Sequence, residues 1–208
     1  MSERLSEPSP AADRPEEGGS DSLVSRARSG EAEALGALFV AHATATRRLL
    51  RSVLGPDDEI DDVAQEVFVQ VHRSIGRFRG ESGVSTWLHR LTVNTAVSHL
   101  RSRARRRARL EAAPPLTPPA SLDPGPDDRA GAREMLRRLY GILDRLPVKR
   151  RVAFTLFELE GLTLEKLSEV LGVPVATAKS RVFFARREVI ERAAADPCLA
   201  ELIEEIET

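Results

Sequence analysis

Three groups of side chains in this chain are able to do chemistry, and their types point one way. Thr177, Lys179, Ser180, Arg181, Phe184 and Arg187 follow a break at Gly172 and Pro174 near the C-terminus. Arg90, Asn94, Arg101 and Arg105 recur at i, i+4, i+11 and i+15 in mid-chain, and Asp62, Gln65 and Glu66 stand among apolar residues between 60 and 71. Lys and Arg neutralise phosphates or pair with guanine edges, Asn suits base edges, and Ser and Thr add short hydrogen bonds. The two basic sets suit nucleic acid and the acidic one a basic partner, and none is arranged to make or break bonds. An enzyme would need carboxylates or histidines converging on one site. The only dense carboxylate cluster, Asp57, Asp58, Asp61 and Asp62, reads as charge at a helix N-terminus. His42, His72, His89 and His99 are scattered without a metal-binding spacing, and the single Cys198 excludes both an internal disulfide and a CxxC site. No catalytic residue, metal ligand or cofactor is expected.

These groups need scaffolding, and composition bounds what it is. A chain of 208 residues, 41% apolar and 30% charged, suits one ordinary soluble domain or two small ones. The net charge of −1 conceals segregation: Arg101, Arg103, Arg105, Arg106, Arg107 and Arg109 form a basic run, whereas Glu201, Glu204, Glu205 and Glu207 make the end acidic. A nucleic acid would meet the local stripe, not the average. No apolar run approaches the ~18 residues of a membrane span, and the start lacks the basic-then-apolar order of a signal peptide. Cytoplasm is the expected location.

The pattern along the chain is helical throughout, with no strand-like alternation. Residues 1–21, rich in Ser, Pro, Glu and Ala, read as a disordered tail. Ile60, Val63, Ala64, Val67, Phe68 and Val71 make a continuous apolar helix face. A loop with three glycines spans 76–85, and a long helix runs from about 86 into the arginines. The Pro-rich stretch from 114 to 126 cannot hold a helix and predicts an extended linker. Helical spacing resumes at Leu136, Leu139, Tyr140 and Leu143; Thr163 caps a short helix, Gly172 ends it, and Pro174 opens the last long one. The expected fold is therefore all-α: a domain over 22–110, a linker over 111–131, a second domain over 132–194 and an acidic extension over 195–208.

Each group also has a plainer reading. Helix, glycine turn and helix before Arg181 make the layout that places a second helix in a major groove, or else a helical hairpin with a solvated basic face. Phe78 and Trp87 flank the glycine loop, which could form a pocket for an unstacked base, although Trp87 suits the core better than a base contact. The acidic and amide face of Asp62, Gln65 and Glu66 fits a basic protein partner, or a solvated surface.

The segments DDVAQEVF (61–68), FRGES (78–82), TWLHRLTVNTA (86–96) and SHLRSRARR (98–106) resemble region 2 of extracytoplasmic-function (ECF) sigma factors. ILDRLPVKRR (142–151), EGLTLEKLSEVLGVPVATAKSR (160–181) and FFARR (183–187) resemble their region 4. The resemblance implies a factor that lends promoter specificity to core RNA polymerase. Asp62, Gln65 and Glu66 would meet the β′ clamp helices. The glycine loop and the helix carrying Arg90, Asn94, Arg101 and Arg105 would open and read the minus-ten element. Region 4 would sit on the β flap and read the minus-thirty-five element through Thr177, Lys179, Ser180, Arg181, Phe184 and Arg187. An anti-sigma factor would hold the chain inactive. Phe184 departs from the family, which usually carries a basic residue there, and the stretch from 196 runs past the usual terminus. A polymerase-independent helix-turn-helix regulator is the alternative, but it leaves the acidic face unexplained.

Overall fold

The apolar periodicities become helices. The computed structural model describes residues 17–56, 59–80, 82–111 and 128–200, and these contain no strand. In the first half, α1 (Glu17–Arg28), α2 (Ala32–Leu54), α3 (Ile60–Ser74) and α4 (Val84–Glu111) form a bundle. In the second, α5 (Asp128–Leu143), α6 (Val148–Phe154), α7 (Leu164–Leu171) and α8 (Val175–Ala194) form a smaller one. A π-helical turn, Thr155–Leu159, extends α6.

Two clusters serve one half each. Val24, Leu35, Leu38, Val67, Val71 and Leu88 join α1 to α4, with Phe68, Phe78 and Trp87 packed at the edge. Leu143, Phe154, Ala185, Val189 and Leu199 join α5, α6, α8 and the start of the C-terminal extension. A third cluster belongs to both. Leu50, Val53, Val93, Ala96 and Leu100 of the first half are buried together with Val152, Ala153, Leu156, Leu167 and Val170 of the second. The two halves, although separated in sequence by residues 112–127, share a core.

Two boundaries differ from the sequence expectation. α1 starts at Glu17, inside the stretch read as a disordered tail. Its later turn is anchored by buried Val24 and Ala27, and a nucleated helix extends one hydrogen bond per residue at little cost. α5 starts at Asp128, inside the expected linker, where acidic residues favour a helix N-terminus. Residues 1–16, the Pro-rich 112–127 and the end of the acidic extension, 201–208, lie outside the described residues. Phe68 is only half-buried, whereas the rest of the expected α3 face, Ile60, Val63, Ala64, Val67 and Val71, is buried.

Leu50 is fully buried in the shared cluster, so its truncation must weaken both halves. Leu50→Ala is expected to cost about 2–5 kcal/mol. Unfolding followed by Trp87 fluorescence, which reports the first half, and by far-ultraviolet dichroism should show one coincident transition, displaced downward in the variant. Two separated transitions in the unsubstituted chain would show that the halves do not share stability.

Candidate nucleic-acid interface and partner surface

The second half builds its exposed helix by a series of local devices. Thr163 caps α7, its hydroxyl accepting from the Lys166 amide at 3.3 Å. Gly172 then takes the left-handed conformation, φ 61°, that ends α7 and favours a residue without Cβ. Val173 N–H returns to the Ser168 carbonyl at 3.1 Å, and Ser168 Oγ donates to the Val173 carbonyl at 2.7 Å. The turn is thus tied to α7, and α8 leaves it at a fixed angle. Ala178, Val182, Ala185 and Val189 face inward, as their spacing predicts.

At 3.6 residues per turn, Thr177, Ser180, Arg181, Phe184 and Arg187 share one side of α8, while Lys179 projects about 140° from Phe184. The structure therefore brings five of the six expected residues together and leaves Lys179 on another side with Phe183, Arg186 and Ile190. Arg186 is occupied by Glu158, Nε to Oε1 at 2.9 Å. Phe184 is 40% exposed. The Arg150 guanidinium lies over its ring at 5.3 Å, and the Phe183 ring meets its edge at 5.4 Å. Beside it opens a groove of about 990 Å³ between α5 and α8, whose walls include Arg145, Arg150 and Arg187. Sequence reasoning missed Arg145 and Arg150 as neighbours of this face; LPVKRR was visible, but only tertiary packing turns it toward Phe184.

On α4, Arg90, Asn94, Arg101 and Arg105 are all exposed and lie within about 60° of one another around the helix. The arginine run is sorted by ion pairs. Arg103 is held by Asp144 at 2.6 Å and Arg106 by Glu59 at 3.2 Å, whereas Arg90, Arg101 and Arg105 stay available on the stripe. The Phe78 and Trp87 rings lie against each other tilted by 44°, centroids 5.0 Å apart, and both pack on the first-half core. The plainer reading of Trp87 holds, and the two rings form no gap between them for a base.

On α3, Asp62, Gln65 and Glu66 are exposed, and Val69 beside them is 43% exposed. Asp61 is drawn away by Arg47, whose Nε donates to Oδ1 at 2.9 Å. The remaining acidic and amide side chains face outward as one unpaired patch.

Between the halves lies a polar seam that no local pattern announced. Arg151, 2% exposed, donates from Nε to the Val53 carbonyl at 3.0 Å and from Nη2 to the Leu54 carbonyl at 2.9 Å. Burial pushes its pKa below the ordinary arginine value, and neighbouring Asp144 opposes that shift. Tyr140 Oη donates toward the Ser52 carbonyl at 2.9 Å and the Arg51 carbonyl at 3.2 Å, and burial raises its pKa. His89, on α4, has its pKa lowered chiefly by burial, with Glu160 opposing and Lys166 and Arg48 adding to the shift.

With this geometry in place, comparison with known proteins is decisive. Residues 38–106 match the family model for sigma-70 region 2, and residues 136–189 match that for sigma-70 region 4. The ECF RNA polymerase sigma-E factor of Haemophilus influenzae is 36% identical over 182 residues, 81% of this chain and 92% of that protein. The chain belongs to the ECF branch of the sigma-70 family. The RNA polymerase sigma-H factor of Pseudomonas aeruginosa is 34% identical, over 82% of this chain and 91% of its own length. Among solved structures, CnrH in complex with the cytosolic domain of CnrY is similar with a TM-score of 0.58 and 27% identity, covering 84% of this chain and 96% of that one. The sigma factor RpoE of Bartonella quintana, solved with the anti-sigma factor NepR, shares the fold at a TM-score of 0.52 and 22% identity, over 74% of this chain and 92% of its own.

As an ECF sigma factor, the protein binds core RNA polymerase and directs transcription initiation at promoters. Region 2 is the α2–α4 bundle and region 4 the α5–α8 bundle. No helix among the described residues is long and apolar enough to cross a membrane.

Phe184 sits centrally on the α8 face, and it cannot donate to a guanine or neutralise a phosphate, but it can press on a thymine methyl. Phe184→Arg in this sigma factor is expected to change the preferred base at one minus-thirty-five position and steepen the salt dependence by about one phosphate contact. Selection from a randomised promoter pool with both holoenzymes measures it. Identical preferences would show that residue 184 does not read DNA.

Proposed function

We infer that this sigma factor works through three faces, each supplied by one helix. The α3 patch of Asp62, Gln65 and Glu66 docks on the β′ clamp helices of core polymerase. The α4 stripe of Arg90, Asn94, Arg101 and Arg105, with the glycine loop before it, engages the minus-ten element. The α8 face of Thr177, Ser180, Arg181, Phe184 and Arg187 engages the minus-thirty-five element, with Lys179 contributing charge from the flank, while region 4 sits on the β flap.

The observation that carries this reading is the division of ionic partners. Carboxylates within the chain occupy Arg103, Arg106 and Arg186, and Arg47 occupies Asp61. Those left over include the residues that three separate ligands would need: a basic protein surface at α3 and phosphates or base edges at α4 and α8. Promoter opening is then binding work, in which unpaired bases held on region 2 offset the cost of unstacking them. The chain catalyses nothing itself and acts in the cytoplasm.

A regulatory protein completes the scheme. The relative CnrH was solved with the cytosolic domain of CnrY, which supports a protein partner for this chain as well, and we assign that partner the anti-sigma role of covering polymerase-facing surface. A polymerase-independent regulator is the lesser reading, since it gives the α3 patch no ligand.

Reversing the charge of the patch tests the docking assignment. Asp62→Lys combined with Glu66→Lys should abolish co-elution with core polymerase and leave the helical dichroism unchanged, because both residues lie off the buried face of α3. Undiminished affinity for core polymerase would refute it.

A further inference from the structure

The face that α8 offers to DNA is completed by cations that α8 does not carry. Phe184 lies between Arg181 and Arg187 around that helix and brings no charge of its own. The Arg150 guanidinium, from the first turn of α6, lies 5.3 Å from the centroid of its ring, within the ~6 Å over which a ring attracts a cation. A guanidinium held in this way keeps N–H donors for other partners. The ring therefore orients a charge without consuming its hydrogen bonds.

Arg150 holds its carboxylate loosely. Its Nη1 stands 3.4 Å from Glu188 Oε2, beyond the ~2.7–2.9 Å of a charge-assisted bond. Glu188 is engaged more closely by Arg192, at 2.9 Å. Arg186 is the contrast, with Nε and Nη2 meeting Glu158 at 2.9 and 2.6 Å.

The groove that Arg150 and Phe184 line between α5 and α8 is walled by five arginines against three carboxylates, so its charge is positive. Arg138 is tied to Asp196 at 3.0 Å and Arg192 to Glu188. That leaves Arg145, Arg150 and Arg187, from the α5–α6 turn, α6 and α8 respectively. Arg145 and Arg187 are exposed, and neither has an ion pair among the described residues. Base recognition calls for a bidentate pair aimed at one edge. Cations spread over three elements around a concave wall suit a row of phosphates instead.

We propose that Arg145 and Arg150 are promoter contacts of region 4 that lie outside its DNA-reading helix, holding the phosphate strand that borders the minus-thirty-five element in the groove between α5 and α8. The proposal rests on α8 engaging that element, as assigned above. Arg187 and Arg150 then face the same strand from opposite sides of the Phe184 ring, and the affinity they supply does not depend on base sequence.

The test uses holoenzyme assembled with each full chain. The probe is a short upstream duplex that carries the minus-thirty-five sequence selected by the unsubstituted holoenzyme and ends before the minus-ten element. Affinity is measured across a range of salt. Arg145→Gln and Arg150→Gln should each flatten the plot of log K against log salt by about 0.9, the value for one phosphate, and should weaken binding to every minus-thirty-five sequence alike. Arg150→Lys keeps the charge and loses the planar fork, so its slope should match that of the unsubstituted chain.

An unchanged slope would remove that arginine from the strand contact, and unchanged slopes in both Gln variants would overturn the proposal, leaving Arg150 as packing of α6 on α8. A change of preferred base in either variant would also overturn it, by making the arginine a base reader. Where Arg150→Gln lowers the helical dichroism, Arg145→Gln decides alone, since Arg145 is exposed. Equal binding of the unsubstituted holoenzyme to a scrambled minus-thirty-five sequence would count against the α8 reading, and the slopes would still show whether the groove holds phosphate.

Discussion

A helix ends with four carbonyls that have no donor of their own, and the end of α2 answers this with groups from the other half of the chain. Gly55 N–H returns to the Arg51 carbonyl at 2.8 Å. Tyr140 Oη reaches the Arg51 and Ser52 carbonyls, and one guanidinium serves Val53 and Leu54. Much follows from this docking. Residue 55 must be glycine both for its φ of 82° and because the Tyr140 ring occupies the space a Cβ would take. The buried Arg151 charge needs a counter-ion, since desolvating it alone costs several kcal/mol, and Asp144 provides one while also holding Arg103 of α4. A single carboxylate thereby ties α4, the α2 terminus and α6 together.

What was legible in the sequence was what depends on near neighbours. The apolar face of α3, the Thr163 cap, the Gly172 stop and the inward stripe of α8 all rest on spacings within one or two turns, and the structure shows each of them. The seam was not legible for the same reason. Arg151 stands in LPVKRR, where three consecutive cations read as surface charge, and Tyr140 falls at an ordinary apolar helical position. Their partners lie 88 to 98 residues away in the chain, and no periodicity crosses such a gap. The composition of the α8 face was readable, but its division was not weighed by angle, so Lys179 was grouped with residues from which it points away. The two boundaries that moved, at Glu17 and Asp128, lie where helix ends meet segments of poor helical propensity, where neighbouring tertiary contacts decide the first turn.

Electrostatics divides the labour among cations that look alike in sequence. Along α4, Arg103 and Arg106 are neutralised by Asp144 and Glu59, while Arg101 and Arg105 keep their full field. An internally paired arginine adds little to phosphate binding, because a nucleic acid must first displace its carboxylate. The useful basic surface is thus narrower than the run suggests and is aligned with Asn94. The same sorting operates on α8, where Arg186 is bound to Glu158 and Arg187 is left for a ligand. A net charge of −1 coexists with local basic surface because ion pairs neutralise some arginines, such as Arg103, Arg106 and Arg186, and leave others exposed.

The mixed character of the seam bears on what can open it. Its rim is polar, with Ser52 on Glu160 and Lys166 on Thr86, and such groups exchange readily for water. Its centre is not. Ala96, Ala153 and Ala178 are fully buried, allowing close approach of the helices, as is Leu167, and Val93 and Leu156 are nearly so. Separating the halves by themselves would expose part of that apolar centre, at about 25 cal/mol for each Å² wetted. A seam with a polar rim and an apolar centre therefore favours closure of the two bundles on each other.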